Sequence, residues 1–450
     1  MWSLDNPHVI FVVLDTLRKD YGRLVEESLS KLGFIVYENA VAPAPWTLPS
    51  HASIFSGLYP AVHGAHETRE VKNYGVRFRG PNSLLRVFDE LGYSTHLISA
   101  NMFVRPGFGF SGFDGFLDVY SNRTFSPFDK REKALLSRYW SEAGGSRLSF
   151  VRKLAASGEY KLLLKFFPGI ALQRAHAWYK RRFQNWPIEK GSRKVVALVG
   201  RMDFSDPTFL FINLMEVHQP LFLNRHVSFY LNFRGDGPDR GLIELWRKRY
   251  GEATGYLNSR LLELMAVLKR KGIFDESLII VLSDHGELIG EHGKVLHGTF
   301  LYDELLRVPL MVKYPESWEV EPDGDGGYIS LAAMPRFISS LLSGETTDSS
   351  LYSPAVFAES YGVSNSFDLS VLSDDELEVY RFFDRYRVAV YRGHLKGIFN
   401  VQDWKFDEIV SYDSRMEVTE NDVKLLKREV VRFLSETSLT RLRGSGRGVS

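Results

Sequence analysis

Three apolar runs, each ending on side chains that can do chemistry, restrict this chain more than any other feature. His8-Val9-Ile10-Phe11-Val12-Val13-Leu14 ends on Asp15. Thr208-Phe209-Leu210-Phe211-Ile212-Asn213-Leu214 leads to Glu216 and His218, and Ser277 to Ser283 leads into Asp284-His285-Gly286. Continuous apolar stretches of this kind are strands buried on both faces, as in a parallel sheet covered by helices. Open α/β sheets bind ligands at the carboxyl ends of their strands, where Asp15, His218, Asp284 and His285 all fall. Between the runs, Ser83 to Leu91 reads as an amphipathic helix closed by Gly92, followed by a strand from Tyr93 to Ala100. Arg249 to Arg270 reads as a long helix. The expected fold class is α/β, a three-layer sandwich whose central sheet is mostly parallel with helices on both faces.

A fourth stretch supplies a nucleophile. Ala42-Pro43-Ala44-Pro45-Trp46-Thr47-Leu48-Pro49 opens with alternating prolines, which hold the backbone extended and forbid a helix before Trp46. Ser50-His51-Ala52-Ser53-Ile54-Phe55 can then turn once or twice as a helix until Gly57 and Pro60 stop it. The Thr47 hydroxyl is expected just before that helix, where free N–H groups and the dipole favour an anion. Thr47 or Ser50 also fits the plainer role of an N-cap.

Composition narrows the setting. The 450 residues carry a formal net charge of +1, so no global field points to nucleic acid. Cysteine is absent, which rules out disulfides and thiolate metal sites and fits a reducing compartment. The run Val9 to Leu14 is far shorter than the core of a leader peptide, and no stretch reaches the roughly 18 apolar residues of a membrane span. A cytoplasmic protein without an integral membrane segment is the expectation.

Taken together, these stretches resemble the sulfatase family of the alkaline phosphatase superfamily. The family signature is a nucleophile, then x-Pro-Ser-Arg, then Ala-Ser-(Ile/Leu)-(Phe/Leu)-(Thr/Ser)-Gly-x-Tyr-Pro. Thr47 falls on the nucleophile, and His51 replaces the usual Arg. Asp15-Thr16-Leu17-Arg18-Lys19-Asp20 looks like the opening motif, whose first Asp binds metal, with Thr16 where many sulfatases have a second Asp. Glu216-Val217-His218-Gln219-Pro220 resembles the element whose His contacts the transferred anion or the leaving group. Ser283 to Gly293 forms the second metal motif, and Tyr302, Arg307, Val308 and Pro309 continue the pattern into a strand from Leu310 to Lys313. His297 stands where sulfatases tend to carry Lys and related transferases His. Asn101 stands where they place a Lys that binds the sulfate, and it also fits a turn before Pro106-Gly107. The likeness is dense over residues 8–22, 42–64 and 277–315 and thin elsewhere.

The resemblance implies catalytic roles for Thr47, His51, His218 and His297, substrate contacts from Arg18 and Asn101, and a metal held by Asp15, Thr47, Asp284 and His285. A cation held this way lowers the alcohol's pKa and polarises the ester oxygen, while the two histidines hold the oxyanion or protonate the leaving group. One divalent ion is expected, because the Asp-x-x-x-His of two-metal phosphodiesterases would need an Asp where Leu214 stands. With His285 as a donor, Mn²⁺, Zn²⁺ or Fe²⁺ is favoured over Ca²⁺. Formylglycine sulfatases make their nucleophile from Cys or Ser, so Thr47 favours phosphate or phosphonate esters over sulfate esters. Superfamily members with a Thr nucleophile include lipoteichoic acid synthase and phosphoethanolamine transferases. The alternatives are a sulfuric ester hydrolase, a transferase acting on a lipid or glycan, and an inactive binding protein. The expected partner is a small anionic ester.

The expected catalytic domain spans residues 1–345, with a basic helical insertion over about 120–194. There Ser126 to Ala143 and Leu148 to Trp186 are helical in pattern, with aromatic Tyr160, Phe166, Phe167, Trp178, Tyr179, Phe183 and Trp186. From Val151 to Lys194 eleven Lys and Arg face only Glu159 and Glu189. The region suits a cap over an anionic substrate, a membrane-surface helix in peripheral lipid contact, or a solvated insertion. Residues 346–450 are expected to form a small subdomain. It carries short strands at Arg387–Tyr391 and Leu395–Asn400, a helix from Glu420 to Leu434, and a disordered tail from Gly444 to Ser450.

Overall fold

The computed structural model describes residues 6–122, 125–143, 146–183, 186–221, 227–235, 237–322, 327–366 and 368–445. The apolar runs build one mixed sheet from β1 (Val9–Leu14), β2 (Ile35–Tyr37), β3 (Ser94–Ser99), β4 (Gly115–Asp118), β5 (Thr208–Leu214), β6 (Leu278–Leu282) and β7 (Leu310–Lys313). Their spatial order is β2-β7-β6-β1-β5-β3-β4. β1 runs parallel between β5 and β6, with Val12 opposite Ile212 and Val281. Every residue of β1, β5 and β6 is buried, as strands covered on both faces require. β7 runs antiparallel to both of its neighbours, β2 and β6.

The helices that position the site are α1 (Lys19–Ser30), α2 (Thr47–Ser56) and, beyond α3 (Ser83–Glu90), the long one described below. α2 starts earlier than the sequence suggests, because Pro49 falls in its first turn, where a missing N–H costs no bond. Thr47 is therefore the first helical residue rather than the one preceding the helix. Gly57 ends α2 in the left-handed region at φ 74°, which a side chain would strain. β1 is central, so Asp15 follows it into the middle of the carboxyl edge, and its N–H donates to the Leu214 carbonyl at 2.9 Å.

Contacts divide the chain into two compact units, one running up to Tyr120 and resuming at Glu189, the other Ser121–Ile188. The second is helical: α4 (Lys130–Glu142), α5 (Arg147–Ala156) and α6 (Tyr160–Phe183). The sequence suggests one helix from Leu148 to Trp186, but Gly158 at φ 73° breaks it in two. Phe128, Phe150, Leu154 and Leu162 form this unit's own core. The side chains of Lys180, Arg181 and Phe183 fall outside the described residues.

In the first unit, α7 (Arg240–Arg270) begins nine residues before the expected start, capped by Asp239, whose side chain accepts from the Leu242 N–H at 2.9 Å. Residues 355–411 form an antiparallel sheet of β8 (Ala355–Ser360), β9 (Arg387–Arg392), β10 (Leu395–Asn400) and β11 (Lys405–Ser411). α8 (Glu420–Ser445) closes the chain and runs past Leu434. The expected disordered tail meets helix at Gly444 and Ser445, and residues 446–450 lie outside the described residues.

Candidate active site

Two strand ends and one helix start meet at the carboxyl edge of the sheet. Asp15 follows β1, Asp284 and His285 follow β6, and Thr47 opens α2. Ligand atoms of Asp15, Asp284 and His285 lie within 4.8 Å of one another. Thr47 Oγ1 is 3.2 Å from His285 Nε2, which is 3.4 Å from Asp284 Oδ2. The Ser50 hydroxyl donates to the Asp284 carbonyl at 2.7 Å and ties α2 to the end of β6. Gly286 is required by close approach: a Cβ there would overlap the Glu304 carbonyl oxygen.

The cluster has the features of a cation site. Asp15 Oδ1 and Asp284 Oδ2 are buried without a hydrogen-bond partner, an expensive arrangement unless a cation faces them. His285 Nδ1 lies 2.9 Å from the Gly286 carbonyl, which fixes the proton there and leaves the Nε2 lone pair toward Thr47. Two donors each about 2.1 Å from a shared ion lie about 3.0–3.4 Å apart in octahedral or tetrahedral geometry, the spacing seen around His285 Nε2. Burial, reinforced by the facing Asp284, raises the Asp15 pKa. Burial, then the neighbouring His297, holds His285 neutral with its pKa down to about 3.

The loop after β1 is fixed by strain and bonds together. Thr16 takes φ 62°, an unfavourable region for a β-branched residue. In that pose its N–H donates to Asp284 Oδ1 at 3.2 Å and its hydroxyl to the Asp15 carbonyl at 2.6 Å. Tyr250 of α7 spans the same turn, donating to the Thr16 carbonyl and accepting from the Arg18 N–H at 3.0 Å. Thr16 thus holds the Asp284 carboxylate through its backbone N–H and the Asp15 main chain through its hydroxyl.

The structure brings together Asp15, Thr47, His51, Asn101, Asp284 and His285. His51 lies against Thr47, with Nδ1 2.9 Å from the Thr47 carbonyl and Nε2 accepting from Asn213 Nδ2 at 3.2 Å. With both nitrogens engaged, its geometry suits positioning of Thr47. Asn101 donates to Asp15 Oδ2 at 2.6 Å, so it faces the cation site first. Arg18 does not reach the cluster with its guanidinium. Its donors go to Asp20 at 2.9 and 2.7 Å, to Glu291 at 2.9 Å and to the Glu287 carbonyl at 3.2 Å. His218 and His297 are partly buried, their rings 5.3 Å apart, and His297 is 4.5 Å from the His285 ring. His297 Nδ1 pairs with Glu287 Oε1 at 2.9 Å. Burial lowers the His218 pKa, whereas at His297 burial is outweighed by Glu287 and the pKa is raised.

Four contributors escaped the sequence reading. Asn213 is the one polar side chain between Phe209 and Leu214 of β5, and it reaches both Asp15 Oδ2 at 3.4 Å and His51. Its signal was an amide inside an apolar strand. Glu287 lies within the second metal motif and anchors His297. Tyr250 carries no sequence signal for its role. Lys190, fully buried, donates to the Glu216 carbonyl at 3.0 Å and to the His218 carbonyl, and burial lowers its pKa to about 7.

A buried Asp/Asp/His cluster beside an alcohol, at the carboxyl edge of such a sheet, is the candidate site of an ester-hydrolysing enzyme of the alkaline-phosphatase-like fold. The sulfatase family model matches residues 7–343, and the chain belongs to that family. Members of the sulfatase superfamily use a divalent metal ion, for which Asp15, Asp284 and His285 form the candidate site. The chain is 21% identical over 362 residues to an arylsulfatase of Clostridium perfringens, covering 69% of each protein. It is 34% identical over 94 residues to the multifunctional alkaline phosphatase superfamily protein PehA of Trinickia caryophylli, covering 20% of this chain and 18% of that protein. Among solved structures, a phosphonate monoester hydrolase of Agrobacterium radiobacter superposes with TM-score 0.58 at 15% identity, covering 97% of this chain and 96% of that one. A sulfatase-like protein of Bacteroides thetaiotaomicron gives TM-score 0.59 at 13% identity, covering 99% and 94%. At those identities the structural likeness speaks for the fold alone.

Proposed function

We propose that this protein hydrolyses a phosphate or phosphonate ester through a covalent adduct on Thr47, with one bound Mn²⁺, Zn²⁺ or Fe²⁺ rather than Ca²⁺. The observation that carries the reading is Thr47 Oγ1 at the start of α2, 3.2 Å from His285 Nε2 and beside two buried carboxylates. The cation, when bound, lowers the alcohol's pKa and polarises the ester oxygen. Thr47, its proton lost to water, bonds to phosphorus through Oγ as the bond to the leaving oxygen breaks. His297, held by Glu287, gives that oxygen a proton, and His218 steadies the transferred group. Water then attacks phosphorus opposite Oγ; one of its protons restores the Thr47 hydroxyl, the other returns to His297, and the phosphate or phosphonate departs. His51 and Asn213 fix Thr47 and Asp15 for these steps.

Phosphorus is favoured because a sulfated Thr has no second hydroxyl with which to expel its group, unlike a hydrated aldehyde. A phosphorylated Thr is opened by in-line attack. The family model and the arylsulfatase relative support a second reading, sulfate ester hydrolysis. The test is a side-by-side assay of aryl phosphodiesters, phosphonate monoesters, phosphomonoesters and aryl sulfates with Mn²⁺, with Thr47→Ala as the blank. Phosphorus substrates are expected to turn over fastest, and Thr47→Ala to lose at least about a thousandfold in kcat. Sulfate turnover above every phosphorus substrate would overturn the substrate assignment, and turnover unchanged in Thr47→Ala would remove the nucleophile.

A further inference from the structure

The unit Ser121–Ile188 concentrates charge that the whole chain conceals. Residues 121–188 hold fourteen Lys and Arg against four acids, Asp129, Glu132, Glu142 and Glu159, a net +10 in a chain of net +1. The remaining residues are therefore net −9. Some of this charge is paired, as Lys165 is with Glu132 at 2.7 Å and Lys153 with Glu142 at 3.6 Å. Most of the excess has no acid within the unit to meet.

The longest helix of the unit is apolar on two faces. One face, with Leu162, Phe166 and Ile170, packs into the unit's core. The other is exposed yet carries Tyr160, Leu164, Phe167, Leu172, Trp178 and Tyr179, of which Leu164 is 78% and Trp178 64% accessible. At about 100° per residue, Tyr160, Leu164, Phe167 and Trp178 form a single stripe, with Leu172 and Tyr179 along one margin. Exposed Lys161 and Lys165 flank that margin, and exposed Arg174 flanks the other. A helix that is apolar all round is normally buried in a core, and large exposed apolar patches mark interaction surfaces. Among the described residues no helix is long and apolar enough to cross a membrane.

We propose that the exposed face of α6 is a docking surface for an anionic lipid bilayer, with the helix lying in the headgroup plane. Aromatic and leucine side chains would enter the boundary between headgroups and acyl chains, where Trp and Tyr are favoured. The net +10 of the unit supplies attraction to a negative leaflet. Nucleic acid would use the charge and the aromatic rings but leaves exposed Leu164 and Leu172 without a role. Vesicle binding is independent of which ester the active site cleaves.

The test is co-sedimentation of the full chain with phosphatidylcholine vesicles, with and without about one third phosphatidylglycerol. Wild type is expected to bind the anionic vesicles at least about tenfold more tightly, and to lose that preference at high salt. The double variant Leu164→Glu/Phe167→Glu alters only exposed positions and is expected to melt as wild type does while losing about tenfold or more in binding. Lys161→Glu/Arg174→Glu is expected to weaken binding to anionic vesicles alone. Trp emission should shift to the blue on vesicle addition, and less so in Trp178→Phe. Failure to sediment with anionic vesicles would overturn the proposal. So would vesicle binding unchanged in Leu164→Glu/Phe167→Glu, or tighter binding to a single-stranded oligonucleotide than to vesicles.

Discussion

At the scale of single residues, the candidate site is made by side chains of two kinds, those that line it and those that hold them there. Gly286 belongs to the second kind. A Cβ at this position would overlap the Glu304 carbonyl, so Gly286→Ala must move the backbone that carries His285. Reactive geometry lost by about 1 Å can cost a hundredfold, so Gly286→Ala is expected to lower kcat at least that much. A crystal structure or metal titration of the variant would show whether His285 has moved. Lys190 is the second case. Its ammonium holds the carbonyls of Glu216 and His218 in a fully buried place, and Lys190→Met leaves both without their donor. Each unmade buried bond costs about 1–3 kcal/mol. The variant is therefore expected to melt lower and to show a raised KM as well as a lowered kcat, because the His218 loop loosens. An unchanged melting temperature with unchanged kinetics would remove Lys190 from the supporting shell. Residues of the first kind, Asp15, Thr47, Asp284 and His285, were legible because strand ends and motifs announce them. Asn213 and Lys190 were not, since the partners of Asn213 lie 198 and 162 positions away and those of Lys190 26 and 28, and no local pattern encodes such a pairing.

At the scale of elements, the short helix Pro60–His63 after α2 carries a pH dependence. His63 accepts from the Ala65 N–H at 3.0 Å and pairs with Ser53 Oγ at 3.0 Å, and burial lowers its pKa to about 3. The unfolded chain takes up that proton near pH 6.5 while the folded one refuses it. Stability from this group is full above pH 6.5 and is lost as pH falls toward 3, by up to about 1.4 kcal/mol per pH unit. Glu67 and Glu359 have the opposite sign. Burial raises both to about 7, so the folded chain keeps protons that the unfolded one releases above about pH 4.5, and stability falls as pH rises to 7. From these three groups the expected melting temperature peaks near pH 4.5, falling below it through His63 and falling above it up to about pH 7, because two Glu outweigh one His. His63→Asn should reduce the acid slope by about one proton, and melting scans at pH 3.5 to 6 would show it. An unchanged slope would mean that His63 is already protonated in the fold. Elements with a strong period were readable in advance, including β1, β5, β6 and α3. Boundaries failed where a single residue decides them: Pro49 tolerated in a first turn, Gly158 splitting a helix, Asp239 capping α7 nine residues early.

At the scale of the whole molecule, the sheet assembles a charge arrangement that folding alone does not favour. Asp15 and Asp284 arrive from β1 and β6, 269 residues apart, and meet fully buried, each with an oxygen lacking a hydrogen-bond partner. That juxtaposition was foreseeable only from the order of motifs, because parallel strands place their carboxyl ends together whatever the chain between them does. It predicts a linkage between metal and stability. An ion that binds the folded chain and not the unfolded one stabilises by about 2.7 kcal/mol at a concentration of 100 Kd. Mn²⁺ or Zn²⁺ is therefore expected to raise the melting temperature by several degrees, and a chelator to reverse it. Asp15→Asn removes one of two facing carboxylates while keeping an oxygen for Asn101. With a chelator present it should melt no lower than wild type, since the repulsion from Asp284 that helps raise the Asp15 pKa is gone. It should also lose the stabilisation by added metal, along with turnover. The two halves of the outcome separate a cation site from a merely structural carboxylate, because a structural Asp15 would lower the melting temperature in both conditions. Equal stabilisation of wild type and Asp15→Asn by Mn²⁺, or stabilisation by Ca²⁺ with none by Mn²⁺ or Zn²⁺, would place the ion elsewhere or reverse the preference argued from the His285 donor.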